Sequence, residues 1–96
     1  MANWTFLTHH AHALIELSQN PDLTLERLAS NIGISTRATV TILNDLVEAG
    51  FVERERRGRR NHYVIHANQP LRHRSNAHHT VSELVSALTA VPVEAR

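Results

Sequence analysis

The chain has 96 residues, which is enough for one small domain with a thin hydrophobic core. The absence of cysteine excludes disulfides, thiol catalysis and zinc fingers, and no apolar run is long enough to span a bilayer. The formal net charge is only +1, but all ten residues of the Lys and Arg class are arginines. Seven of them lie between positions 54 and 74, where the only acid is Glu55, so the positive charge is concentrated in one segment.

The first predicted helix runs from Phe6 to Gln19 and is ended by Asn20 and Pro21. Its apolar residues cover more than one narrow stripe, and a helix of this kind is usually buried on two sides. We therefore expect one side to pack on its own domain and the other on a second chain. The apolar positions are Leu7, Ala11, Leu14, Ile15 and Leu17.

A short second helix is predicted after Thr24, a suitable N-cap, with Glu26 in its first turn. One face carries apolar residues at the spacing i, i+3, i+4 and i+7, which is typical of an amphipathic helix. These residues are Leu25, Leu28, Ala29 and Ile32. Gly33 then allows a sharp turn into the next element.

The third predicted helix is capped by Ser35, runs to about Ala49 and stops at Gly50. The face predicted to meet the core consists of Thr39, Ile42, Leu43 and Leu46. The opposite face consists of Arg37, Thr41, Asn44 and Glu48, with Thr36 and Val40 on its flank. Since the side chains of this outer face are mostly short and uncharged, the helix can approach the edges of bases closely.

Two strands are predicted next, Phe51–Arg56 and His62–His66, joined by residues 57–61. Five arginines fall within seven positions around Gly58, so the hairpin presents a cationic loop suited to phosphates. Residues 67–79 form a predicted connector. A last helix is predicted from about Thr80, where Thr80 and Glu83 form a capping box, and the tail from Val91 is predicted to be disordered.

Three motifs occur in a fixed order between Leu25 and Tyr63: L-x-x-L-A-x-x-x-G-I-S, then L-x-x-A-G-F-V-E-R, then G-R-R-N-x-Y. Together they resemble the winged helix-turn-helix transcriptional regulators, particularly the small MarR-like proteins. The resemblance implies a mainly α fold with a small β-hairpin wing, in the order α1-α2-α3-β-wing-β-α4. It also implies a DNA-binding core at residues 21–66, between an N-terminal helix in residues 1–20 and a dimerisation helix in residues 80–90.

The resemblance further implies which residues act. The expected DNA-binding residues of the third helix are Ser35, Thr36, Arg37, Val40, Thr41 and Asn44, and those of the wing are Arg56, Arg57, Arg59, Arg60 and Asn61. The expected dimerisation residues are Leu7, Ala11, Leu14, Val81, Leu84, Val85 and Leu88. Related proteins often have Val or Ile at the position of Thr39 and a polar residue at that of Val40. If Val40 faces outward, it can contact a thymine methyl. Alternatively, the helix is rotated slightly from the register assumed above, which would change the set of residues that contact bases.

These features predict a homodimeric regulator that binds double-stranded DNA at a pseudo-palindromic operator. We expect no catalytic activity, no cofactor, no bound metal and no membrane partner. The N-terminal residues lack the regions of a signal peptide, so a soluble cytoplasmic protein is expected. With four aromatic residues of the Phe, Trp and Tyr class, the chain offers little to line an effector pocket, and no small-molecule effector is assumed.

Two alternatives remain open at this level. The first is a metal-responsive repressor of the same fold that uses its histidine clusters, although no Cys and no HExxH pattern accompanies them. The clusters are His9, His10 and His12 near one terminus, and His78 and His79 near the other. The second alternative is a protein-interaction winged helix whose wing binds an acidic partner.

Overall fold

Four α-helices and a two-stranded antiparallel hairpin make up residues 4–89, the part of the chain that the computed structural model describes. The elements in chain order are α1 (His9–Gln19), α2 (Leu25–Ile32), α3 (Thr36–Glu48), β1 (Val52–Arg57), β2 (Arg60–Ile65), a short 3-10 helix (Arg74–Asn76) and α4 (Val81–Thr89). The predicted fold class, mainly α with a β-hairpin wing, is confirmed. The predicted tail from Val91 lies outside the described residues.

Helix α1 begins three residues later than predicted, at His9 instead of Phe6. The reason is local: Thr8 has an extended backbone, and its hydroxyl accepts a hydrogen bond from the amide of Ala11 at 3.1 Å. This satisfies one of the free amides of the first turn, so the helix starts after Thr8. At the other end α1 stops at Gln19, as predicted.

The helix-turn-helix follows its predicted caps closely. The hydroxyls of Thr24 and Ser35 accept hydrogen bonds from the amides of Arg27 and Ala38, at 3.1 and 3.0 Å. Gly33 has a left-handed backbone with φ of 90°, which an L-residue with a side chain rarely adopts. Helices α2 and α3 therefore meet at a tight turn of three residues.

The core lies between α1, α2 and α3 and is closed by the base of the hairpin and the start of α4. All three helices contribute fully buried side chains, as do both strands. The buried apolar residues of this cluster are Ala13, Leu14, Leu17, Leu28, Ile42, Leu43, Leu46, Phe51, Val52, Tyr63 and Val81. Thr39 is fully buried too, and its hydroxyl donates to the carbonyl of Ser35 at 2.9 Å, so no buried polar group is left unpaired there.

The wing is longer and its turn tighter than predicted. Pairing continues to Arg57 and Arg60, so only Gly58 and Arg59 remain in the turn, where five residues were expected. Gly58 has a φ of 62°, and a glycine with positive φ at the first turn position is the arrangement of a type II′ turn. A two-residue turn of this type matches the twist of the strands, which explains why the ladder extends so far.

The connector after β2 is tied back to itself and to the last helix. Pro70 and Thr80 form an isolated antiparallel bridge, and the amide of Leu71 donates to the carbonyl of His79 at 2.9 Å. The predicted capping box is present: the amide of Glu83 donates to the Thr80 hydroxyl at 3.3 Å, and the amide of Thr80 donates to Glu83 Oε1 at 3.2 Å. These contacts orient α4, which packs on α1.

Candidate nucleic-acid interface

The outer face of α3 is open to solvent along its length. Thr39 on the inner face is fully buried, whereas its neighbour Val40 is 41% exposed, so the helix has the predicted rotation and not the alternative one. Val40 is consequently available for contact with a partner. All six residues predicted to bind DNA from this element are exposed: Ser35, Thr36, Arg37, Val40, Thr41 and Asn44.

The wing joins this face through a side-chain contact that the sequence analysis did not identify. Nη2 of Arg54 donates to Oδ1 of Asn44 at 3.1 Å, and the guanidinium lies over the ring of Tyr63, 5.9 Å from its centroid. The contact links β1 to the outer face of α3. The sequence does contain one signal for this contact. Side chains alternate along a strand, so Arg54 lies on the same face of the hairpin as the buried Val52, two residues earlier.

Asn44 is therefore in a different situation from the one predicted. Its side-chain oxygen already accepts a hydrogen bond from Arg54, while its amide group remains exposed. A bidentate contact with adenine uses both ends of an Asn side chain. In this arrangement Asn44 orients an arginine at the border between α3 and the wing.

Cross-strand pairing divides the wing arginines between two faces. Residues directly opposite each other in an antiparallel pair share a face, and successive residues alternate. Arg54 opposes Tyr63, and Arg56 opposes Asn61, on the face that also carries the buried Val52. This inner face of the wing adjoins α3 and carries arginine without any acid. Of the predicted wing residues, Arg56 and Asn61 belong to it.

The outer face of the wing has a different charge balance. Arg57 opposes Arg60 there, but Glu53 and Glu55 alternate onto the same face. Nη2 of Arg57 lies 3.2 Å from Oε1 of Glu55, in an exposed ion pair. Arg59 occupies the turn and is exposed. The positive field of the hairpin is thus concentrated on its inner face and its tip.

The base of the wing is fixed to the end of α3 by His66. Its Nδ1 donates to the carbonyl of Gly50 at 2.7 Å, and its Nε2 lies 3.2 Å from the Glu53 carboxylate. The same carbonyl accepts from Gln69 Nε2 at 3.1 Å. The pKa of His66 is raised above its ordinary value. The hydrogen bond to the Gly50 carbonyl is the larger cause and the one to Glu53 the smaller, because both acceptors favour a doubly protonated ring.

The residues predicted for dimerisation are not equivalent in the structure. Leu14 and Val81 are buried in the core of their own chain. Leu88 is 48% exposed, whereas Leu7, Ala11, Leu84 and Val85 are half-buried. For all seven residues dimerisation stays a prediction.

Four histidines, His10, His62, His66 and His79, each lie next to one acid. His10 on α1 contacts Asp45 on α3, with 2.8 Å between Nε2 and Oδ2, and His79 pairs with Glu83 in the last helix. Among residues 4–89 no three or more of His, Cys, Asp and Glu come together in a way that could hold a metal ion. Within the same range no helix is long and apolar enough to cross a membrane.

Comparison with known proteins agrees with this geometry. The model of the MarR family matches residues 8–59, which is more than half of the chain. The structure is similar to the crystal structure of MepR, a transcription regulator of the Staphylococcus aureus multidrug efflux pump MepA, with a TM-score of 0.57 and 20% identity. The similarity covers 86% of this chain but only 55% of that one, so the present chain spans about half of MepR's length.

No curated protein matches the chain. At 20% identity the likeness to MepR establishes the fold, a winged helix, and the family model establishes the relationship. The matched segment contains α1, the helix-turn-helix, β1 and the wing turn, which are the elements that carry the exposed polar face described above. The chain belongs to the MarR family.

Proposed function

We propose that the chain is a transcriptional regulator that binds double-stranded DNA in a sequence-specific manner and has no catalytic activity. In this proposal α3 enters the major groove, and the inner face and tip of the wing contact the adjacent backbone or minor groove. The wing arginines provide the phosphate contacts, and Asn44 holds Arg54 beside them. The base contacts come from the exposed residues at and after the N-cap of α3, Ser35, Thr36, Arg37, Val40 and Thr41. The protein acts as a homodimer in the cytoplasm.

One observation carries this proposal: the exposed face of α3 and the acid-free face of the wing form one continuous surface. The contact between Arg54 and Asn44 joins them. A helix surface that only faces solvent gives no reason for arginines without acids beside it, whereas a nucleic-acid ligand does. Arginine suits such a flank because its planar fork binds phosphate and guanine in a bidentate manner.

A homodimer would place two copies of α3 on the same side of a duplex. Two-fold symmetry then predicts half-sites about 34–36 Å apart, which is one turn of DNA, arranged as a pseudo-palindrome. The half-buried and exposed apolar residues of α1 and α4, with Leu88 the most open, supply surface for such an interface.

Selection of bound fragments from a random DNA pool tests base readout directly. The expected result is an enriched sequence with two symmetric half-sites, bound at least about a thousandfold more tightly than unrelated DNA. Binding without any sequence preference at moderate salt would contradict the proposal. Binding of an acidic protein but not of DNA would favour the protein-interaction alternative.

Two substitutions separate the proposed roles. Arg37→Ala on α3 should lower discrimination at one base position by about 1–3 kcal/mol. Arg59→Ala at the wing tip should weaken binding to all sequences and reduce the slope of log K against log salt by about 1. Arg74→Ala removes an exposed arginine far along the chain in the connector and is the matched control. Equal effects of all three substitutions would argue against specific roles for α3 and the wing.

A further inference from the structure

The side chain of Arg54 is held from two sides where β1 meets the second half of α3. Its Nη2 donates to Oδ1 of Asn44 at 3.1 Å, and its guanidinium stands over the ring of Tyr63. Tyr63 is itself fixed, because it is buried in the core and its amide donates to the carbonyl of Pro21 at 3.0 Å. Asn44 belongs to the helix that contributes most to the core. Arg54 is therefore oriented by two rigid elements before any ligand arrives.

The two groups that hold Arg54 are neutral, so they leave its charge uncompensated. Within the described range Arg57 pairs with Glu55 at 3.2 Å, whereas no carboxylate comes within ion-pair distance of Arg54. This includes Glu48, which lies one turn after Asn44 on the exposed face of α3. A guanidinium has five N–H donors, and Asn44 accepts from only one of its nitrogens. Arg54 thus keeps its charge and most of its donors for an anion.

The level of Asn44 along α3 indicates which part of a duplex this arginine would meet. A helix-turn-helix places the N-terminal residues of its second helix on the base edges. Asn44 lies about 13 Å along the helix axis from the N-cap at Ser35, because each residue rises about 1.5 Å. The major groove is only about 8.5 Å deep. With Ser35 to Thr41 at the bases, the contact between Arg54 and Asn44 lies at the edge of the groove, where the phosphates are.

We propose that Arg54 binds one particular backbone phosphate at the junction between α3 and the wing, and that Asn44 and Tyr63 position it for this contact. The proposal rests on the DNA-binding part of the proposed function and adds a specific residue and its ligand group. The planar guanidinium matches two oxygens of a phosphate. Because Arg54 is tied to both α3 and the wing, the phosphate that it binds fixes both elements on the duplex. Contacts of this kind set the register in which the bases are read.

Two arginines nearer the wing tip are held differently. Nε of Arg56 donates to the carbonyl of Gly58 at 3.0 Å, which is a contact within the hairpin, and Arg59 is an exposed residue of the turn. Neither arrangement refers to α3. Long side chains of this kind reach phosphates over a range of positions, whereas Arg54 is directed at one position relative to the base-reading residues. We therefore expect its effect on binding to be confined to a single phosphate in each half-site.

Duplexes with a single methylphosphonate locate the contact, because this modification removes the charge of one phosphate. The full chain is titrated with the DNA sequence enriched in the selection experiment, modified at each position in turn. Neutralising one phosphate per half-site should weaken binding by the parent at least about tenfold. Arg54→Ala should weaken binding to unmodified DNA by a similar factor and should no longer respond to that modification. Arg74→Ala, which removes an exposed arginine of the connector, should retain the response of the parent.

A double-mutant cycle tests whether Asn44 acts through Arg54. Asn44→Ala should weaken binding to the same DNA without changing the slope of log K against log salt, because the charge of Arg54 remains. In the Arg54→Ala background it should have no further effect, since the side chain that it positions is gone. Combined with Arg59→Ala, which shares no hydrogen bond with Asn44 in the described structure, its effect should be additive. Urea denaturation of each variant checks that the fold is retained.

Three results would overturn this proposal while leaving the proposed function in place. They are an Arg54→Ala variant that responds to every modified phosphate like the parent, a changed base preference of that variant in a repeated selection, and additive effects of Asn44→Ala and Arg54→Ala. If the parent binds DNA without sequence preference, the proposed function fails. The phosphate contact is then supported by a salt slope that Arg54→Ala reduces by about 0.9 on unrelated DNA, and rejected by an unchanged slope. A parent chain that binds no duplex rejects both.

Discussion

The helix-turn-helix buries its apolar residues, whereas the segment before α1 and helix α4 leave many of theirs exposed or half-buried. Helices α2 and α3 bury six side chains in the core of the same chain and expose a polar face. Helix α4 buries only Val81, and the segment before α1 exposes Trp4 and Phe6. The first region is complete as a folded unit and suits a polar ligand, whereas the second still has apolar surface to cover.

The largest expected contrast comes from the same substitution in the two regions. Leu28→Ala in α2 removes a side chain that is only 1% exposed, so unfolding should become easier by about 2–5 kcal/mol. Leu88→Ala in α4 removes one that is 48% exposed and should change the free energy of unfolding of the monomer by less than about 0.5 kcal/mol. Urea denaturation of both variants at low protein concentration provides the measurement. Similar losses for the two would mean that α4 is as well packed as α2.

The turn between α2 and α3 should be the next most sensitive point. A Cβ at Gly33 would meet no atom within 4 Å, but the backbone there has a φ of 90°. Gly33→Ala should therefore destabilise the fold by about 1–2 kcal/mol through backbone strain alone. Ser30→Ala, at an exposed position of the same helix, serves as the control and should shift stability by less than about 0.5 kcal/mol. An unchanged urea midpoint for Gly33→Ala would show that the turn relaxes.

Helix caps offer a comparison of local with global stability. Ser35→Ala and Thr80→Ala each remove a capping hydroxyl, worth about 1 kcal/mol. Loss of the α3 cap should lower the free energy of global unfolding, because α3 is central to the core. Loss of the α4 cap should increase amide hydrogen exchange mainly within α4, since a weakly packed helix opens by itself. A global effect of equal size for both caps would contradict this distinction.

The smallest expected effect concerns pH and the base of the wing. The pKa of His66 is raised in the folded state by Gly50 and then Glu53. Its contribution to stability is therefore fully present below the unfolded-state pKa and is lost as the pH rises through the folded-state pKa. The difference in urea midpoint between the parent and His66→Gln should shrink over that range, while NMR titration of the ring gives its pKa directly. Parallel pH profiles would argue against the two hydrogen bonds.

Features set by neighbouring residues were predictable from the sequence. The caps at Thr24 and Ser35, the turn at Gly33 and the capping box at Thr80 all depend on residues within three or four positions of each other. The buried face of α3 was equally predictable, because apolar residues at spacings of three and four specify it. The pattern places the start of α1 too early, because Phe6 and Leu7 extend its apolar run, whereas the cap at Thr8 sets the true start.

Features that depend on distant residues were not predictable. Alternation along β1 indicates the face of Arg54, but nothing local identifies Asn44, ten residues earlier, as its partner. The burial of Leu14 and Val81 depends on how α1 and α4 pack together, which no local pattern specifies.

The two-residue turn of the wing has a consequence for the thermodynamics of association. Backbone pairing extends to the last residue before Gly58 and resumes directly after Arg59, so the hairpin arrives at an anionic partner already shaped. Only rotamers of arginine side chains then lose freedom, and immobilising each costs about 0.5–1.5 kcal/mol. A flexible loop would also lose backbone conformational entropy at every residue that becomes ordered on binding. Encounter with such a partner should accordingly be rapid, without a slow folding step after first contact.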